Sequence, residues 1–221
     1  MTNDGDPAPG GSRPKVPDAI LRSGVIAIAR GLPADRLIRI GEGLVAGGVG
    51  AFEVTLNSPN ALDGIAALVA RFGPDELLVG AGTVLDRDAA RAAIDAGAAF
   101  VVTPVTDPAV IAAAVECGVP CIAGAFSPTE VLSAWRAGAS AVKLFPASSL
   151  GPSFIRELHG PLPDIPIVPT GGITIDSAPA FMAAGAVAVG LGSWLAGDGE
   201  PAGISERAAR LVAVVQAARD A

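Results

Sequence analysis

The chain has no tyrosine, one histidine, two cysteines and two lysines in 221 residues. Each scarcity removes a class of chemistry. A lone histidine, His159, leaves almost nothing for a His-rich metal centre or a His-activated nucleophile. It stands in "RELHGPLP", where it reads as the end of a helix before Gly160. Cys117 and Cys121, in "VECGVPCI", lack the further partners that a disulfide framework or thiolate metal site needs, so both read as small apolar residues. No apolar run approaches the ~18 residues of a membrane span. The N-terminal "MTNDGDPAPGGSRPK" has no apolar core of a secretory signal. A cytoplasmic protein with no membrane partner is therefore expected. There is no basic run and the net charge is −7, a poor match to nucleic acid or an anionic membrane. A local anion site made of backbone amides stays open.

What is present is apolar and periodic. Hydrophobic residues make up 51 % of the chain and charged residues 17 %. Residues 1–16 are rich in Gly, Pro and polar types and read as a disordered tail. From Gly24 onward, short apolar segments alternate with amphipathic helical patterns. The segments are "VIAIA" (25–29), "AFEVTL" (51–56), "LLVGAG" (77–82), "AFVVTP" (99–104), "VPCIAG" (119–124), "SAVKLFP" (140–146), "IPIVPTGG" (165–172) and "AVAVGLG" (186–192). Several intervening helices end in a glycine stop such as "DAGA" or "RAGA". Eight strands alternating with helices predict a parallel sheet, and their number in this length predicts a single-domain (β/α)8 TIM barrel over 17–221. A doubly wound sheet usually carries G-x-G-x-x-G after its first strand. Here "RGLPAD" follows instead. A last helix over about Ile204 to Ala218 would close the ring.

In such a barrel the site lies at the carboxyl ends of the strands. That rule selects Arg30, Glu53, Thr55, Asn57, Thr83, Thr103, Pro104, Lys143, Phe145, Gly171, Gly172, Gly192 and Ser193. Lys143 is conspicuous, because only Lys15 accompanies it among fifteen basic residues. Side chains alternate faces along a strand. With Phe52, Val54, Val142 and Leu144 packed outward against helices, Glu53 and Lys143 both point into the barrel. A buried ion pair is one reading of the two, but arginine usually serves that purpose better. Arginine cannot form an imine, whereas a lysine amine walled off from water loses its proton more readily and can. Lys143 is thus the candidate imine-forming nucleophile and Glu53 the group placed to move protons. "PTGGIT" (169–174) and "GLGS" (190–193) follow the seventh and eighth strands, where barrels of this kind commonly cradle phosphate. Glycines there let backbone N–H groups approach an anion. A helix expected to start within "GGITIDSAPAF", capped by Thr174 or Asp176, would add its dipole.

"FEVTLNSP", "VGAGTVL", "FVVTP", "VKLFPAS", "PTGGI" and "GLGSWL", in this order across about Ile20 to Ala218, resemble the 2-keto-3-deoxy-6-phosphogluconate and 4-hydroxy-2-oxoglutarate (KDPG/KHG) aldolases. The resemblance implies a cofactor-free class I aldolase, usually a homotrimer, acting on a phosphorylated keto acid. It makes Lys143 the Schiff-base lysine and Glu53 the general acid/base. Thr83 and Pro104 would hold the pyruvate end, Phe145 would line the pocket, and Gly171, Gly172, Gly192 and Ser193 would bind phosphate. Typical gluconate enzymes carry arginine where this chain has Asn57. "LNSP" instead resembles the sister 2-keto-3-deoxy-6-phosphogalactonate aldolases, whose arginine after the first strand matches Arg30, expected on the substrate carboxylate. Thr170 is of the gluconate type. The expectation is thus gluconate cleavage to pyruvate and glyceraldehyde 3-phosphate, with 4-hydroxy-2-oxoglutarate as a further substrate and the galactonate epimer as the alternative. A cofactor-free sugar-phosphate epimerase or isomerase would share the phosphate loops and Glu53. A non-catalytic sugar-phosphate-binding protein is the remaining alternative. None of these needs a metal.

Overall fold

The computed structural model describes residues 12–196 and 200–220. Eight parallel strands run in the order β7-β6-β5-β4-β3-β2-β1-β8. They are β1 Val25–Ala29, β2 Ala51–Thr55, β3 Leu78–Gly82, β4 Val101–Val102, β5 Cys121–Ala125, β6 Ala141–Leu144, β7 Ile167–Pro169 and β8 Val189–Leu191. A parallel bridge between Thr170 and Gly190 and a bond from the Val187 N–H to the Ile167 carbonyl join the two ends. The result is the expected single (β/α)8 barrel. All eight strands fall inside the predicted segments or within one residue of them. β4 and β7 are the shortened ones. Beyond Val102 the Thr103 hydroxyl turns to the Val105 carbonyl at 2.6 Å instead of continuing the strand. β7 is flanked by Pro166 and ends at Pro169, neither of which can donate to a ladder.

The helices α2 Ala34–Ala46, α3 Ala61–Arg71, α4 Arg87–Asp95, α5 Pro108–Glu116, α6 Pro128–Arg136, α7 Gly151–His159, α8 Ala178–Ala183 and α10 Pro201–Arg219 surround the sheet, with α1 Asp18–Ser23 below it and a single turn α9 Ser193–Ala196 after β8. Their starts are chemically marked. Asp86 and Asp107 accept backbone N–H bonds at the beginnings of α4 and α5, and Ser127 with Glu130 forms a capping box on α6. Such caps are each worth about 1 kcal/mol. α10 lies tightly on α2. A Cβ at Gly43 would come within 2.7 Å of Ile204 and one at Gly47 within 2.4 Å of Ala208. The last long helix thereby meets the first and closes the ring, as expected. α7 ends at His159 with Gly160 behind it, also as expected.

Two expectations change. α8 starts at Ala178 with Ser177 as its N-cap, not Thr174 or Asp176, because a turn intervenes in which the Thr174 hydroxyl accepts the Ser177 N–H at 3.2 Å. Its dipole therefore does not begin at the glycine pair. Residues 12–16, read as the end of a disordered tail, lie on the barrel. The Arg13 guanidinium stacks 3.4 Å from the Trp135 ring centre and donates to the Trp135 carbonyl at 2.7 Å. Val16 packs against the inner core. Residues 1–11, the rest of that stretch, lie outside the described residues.

Side-chain alternation divides the core in two. Val25, Ala27, Phe52, Val54, Val142 and Leu144 face outward into the layer between sheet and helices. Ile26, Ala51, Phe100, Val102, Ile122, Ala141, Val168 and Ala188 face inward with Ile20 of α1 and fill the lower barrel. Phe100 plugs it: a Cβ at Gly80 would lie 2.4 Å from that ring. The next inward positions upward belong to the site.

Candidate active site

Two residues above Ala51 on β2 stands Glu53, and two above Ala141 on β6 stands Lys143; both are buried. Register places Glu53 beside Ile28 and Gly80, and Lys143 between Gly124 and Val168. Their inward orientation follows from the strand period, as the sequence predicts. Inward glycines make room for Glu53 and for Thr170. A Cβ at Gly82 would fall 1.7 Å from Glu53 Oε1, and one at Gly190 would fall 2.4 Å from Thr170 Oγ1. The Glu53 carboxyl therefore lies directly on the Gly82 backbone.

Both side chains line one cavity of about 510 Å³ at the carboxyl end of the barrel. They form no salt bridge with each other among the described residues. The ion-pair reading of these two residues is thus not what the geometry shows. Lys143 Nζ lies 5.0 Å from the centre of the Phe145 ring, which walls the cavity on one side. Burial pushes the Glu53 carboxyl above the ordinary carboxylate range, while the charges of Lys143 and Arg30 act in the opposite sense. A carboxyl held in this way keeps its proton more readily than a solvated one.

Arg30, at the end of β1, reaches the same cavity and makes no hydrogen bond among the described residues. Gly171, Gly172 and Gly192 line it with Thr170. Gly171 and Gly172 have φ of 91° and 73°, a conformation that glycine adopts without strain. Ser193 opens α9, and its side chain lies outside the described residues. Two further residues, Arg36 in the first turn of α2 and Trp194 after Ser193, also line the cavity and were not foreseen. Their signal was available, since both follow strand ends within one helical turn of a chosen loop. Three expected residues stand apart from this cavity. Asn57 is exposed on the loop after β2. Pro104 lines an adjoining hollow that it shares with Phe145. Thr83 follows β3 with φ 55°, an unfavourable backbone for a β-branched residue. Thr103 holds the Pro104 turn, accepting the Gly124 N–H at 2.9 Å. Gly124 must lack a Cβ there, which would fall 2.2 Å from the Pro104 carbonyl carbon.

A lysine, a carboxyl, an arginine and three glycines thus share one cavity at the carboxyl end of a (β/α)8 barrel. Residues 18–203 match the family described as "KDPG and KHG aldolase". The chain belongs to that family. It is 37 % identical to the "Probable 2-dehydro-3-deoxy-6-phosphogalactonate aldolase" of Rhizobium meliloti (strain 1021), over 92 % of this chain and 96 % of the relative. It is also 37 % identical to the "2-dehydro-3-deoxy-phosphogluconate aldolase" of Pseudomonas aeruginosa, over 72 % of each chain. Among solved structures, "Native KDPGal structure" superimposes with a TM-score of 0.84 at 35 % identity, covering 89 % of this chain and 96 % of the other.

Proposed function

We propose that the protein is a Schiff-base aldolase that splits a 2-keto-3-deoxy-6-phosphosugar acid into pyruvate and glyceraldehyde 3-phosphate. The observation that carries this reading is the enclosure of Lys143 and Glu53 in one cavity without mutual salt bridging. The uncharged Lys143 amine adds to the C2 ketone. Glu53 delivers and removes the protons needed for the C2 oxygen to leave as water, which gives a protonated imine. A base, Glu53 directly or through water, then takes the proton of the C4 hydroxyl. The C3–C4 electron pair moves into the imine, so the aldehyde departs and an enamine remains. Protonation at C3 and addition of water free pyruvate and restore the amine. Arg30 pairs with the substrate carboxylate. The amides at Gly171, Gly172 and Gly192, with Ser193, receive the phosphate. Phe145, on the cavity wall, confines the pyruvate end. No cofactor enters these steps, because the lysine provides the electron sink.

We take the galactonate epimer as the preferred substrate, supported by Arg30 on the cavity wall and Asn57 away from it. The gluconate epimer is the second reading, favoured by Thr170 on the same wall. Exposed Leu85, Val105 and Phe126, on the loops after β3, β4 and β5, form an apolar rim that supports assembly into a homotrimer. Borohydride reduction in the presence of pyruvate tests the chemistry. The peptide containing Lys143 should gain covalent mass, and Lys143→Arg should abolish both this gain and turnover. A fully active enzyme with no trapped adduct overturns the imine. Parallel cleavage rates on the two epimers decide the stereochemistry.

A further inference from the structure

We propose that Ser58 is the residue that positions Arg30 for the substrate carboxylate, an inference that rests on the reading above. Ser58 lies in the turn after β2, and its side chain is buried although both neighbours, Asn57 and Pro59, are exposed. Its own N–H donates to the Thr55 carbonyl at 3.0 Å, which bends the chain back over the barrel rim. Its Oγ accepts the Gly31 N–H at 2.7 Å and lies 3.1 Å from the buried Thr55 hydroxyl. A serine hydroxyl has one proton and two lone pairs. The amide uses one lone pair, and the contact with Thr55 uses either the proton or the second lone pair, according to which hydroxyl donates.

The consequence falls on Arg30. The Gly31 N–H belongs to the rigid peptide plane that begins at the Arg30 Cα. Anchoring that N–H restrains the Arg30 ψ angle and so the direction in which the Arg30 Cα–Cβ bond leaves the loop. The loop has little else to hold it at this point. Gly31 has φ 68°, and no atom lies within 4 Å of where its Cβ would be. Gly31 is also exposed, so water can satisfy its amide if the serine hydroxyl is removed. Loss of the hydroxyl also leaves the buried Thr55 hydroxyl without this partner, so Ser58→Ala carries a stability cost beside the change in orientation. The latch joins the loop after β1 to the loop after β2, the strands that bear Arg30 and Glu53.

The test is calorimetric binding of 3-phosphoglycerate, which carries a carboxylate and a phosphate but no ketone and so does not depend on turnover. Ser58→Ala should weaken binding about fivefold, the size of one ordinary hydrogen bond. Ser58→Thr, which keeps the hydroxyl, should restore most of it. In an Arg30→Ala background, Ser58→Ala should cause no further loss. During turnover the loss should fall on KM more than on kcat. Unchanged binding by Ser58→Ala, or an equal loss with Arg30 already removed, overturns the assignment, as does a wild-type protein that fails to bind the probe. Failure to cleave either epimer, with the binding pattern intact, counts against the aldolase reading and not against the latch.

Discussion

Gly82→Ala gives a sharp test of Glu53. Gly82 lies in ordinary strand conformation, so alanine suits its backbone. The methyl group, however, would fall 1.7 Å from Glu53 Oε1, 2.3 Å from Cδ and 2.6 Å from Cγ. Ordinary contact begins near 3.4 Å, so the carboxyl must retreat by about 1.7 Å. The clash involves the far end of a side chain with several rotatable bonds, and the barrel can absorb it. Under the proposed role of Glu53 catalysis cannot, because misplacing a reacting group by ~1 Å costs on the order of 100-fold. Steady-state cleavage by Gly82→Ala should therefore fall at least ~100-fold, approaching the rate of Glu53→Gln. Circular dichroism and the denaturation midpoint should show a folded protein. Retention of kcat within about threefold of wild type, against the ~100-fold expected, would refute the placement of the proton-moving group on Gly82.

Three further outcomes follow from the same structure. Burial raises the Glu53 pKa, so the native state holds a proton that the unfolded chain has released, and stability falls as pH rises from the ordinary carboxylate value through the raised one. Glu53→Gln should accordingly melt higher than wild type at neutral pH and equally at pH about 4 or below, as read by thermal scans across pH. Thr83→Gly removes a β-branched residue from φ 55°, a conformation costing roughly 1–2 kcal/mol; after the entropy cost of glycine, urea unfolding should show a gain of about 1 kcal/mol, while turnover declines. Burial pushes the Cys121 thiol up to about 12, whereas Cys117 is exposed, so native alkylation followed by mass spectrometry should label Cys117 alone.

The barrel was readable because strands buried on both faces appear as short apolar runs, and glycine marks where the helices stop. Alternation alone then turned Glu53 and Lys143 inward, since Phe52 and Val142 beside them are bulky and belong outside. Other features needed three dimensions. That Gly82 makes room for Glu53 is a cross-strand relation, invisible until the register of β2 and β3 is known. Ser58 looks like a turn serine in "LNSP", and its hold on Gly31 spans 27 residues of sequence. The delayed start of α8 was hidden for a local reason: Thr174 and Ser177 satisfy one another before the helix begins.

The Phe100 plug has a consequence for traffic. With the lower barrel filled by that ring and its aliphatic neighbours, the chamber is closed toward the amino ends of the strands, so molecules enter and leave at the carboxyl end. Under the proposed chemistry the three-carbon fragment stays tethered to the deeper amine while the aldehyde sits nearer the exit. The phosphorylated fragment therefore departs first and the keto acid last, so product inhibition by pyruvate should reflect capture of the empty enzyme.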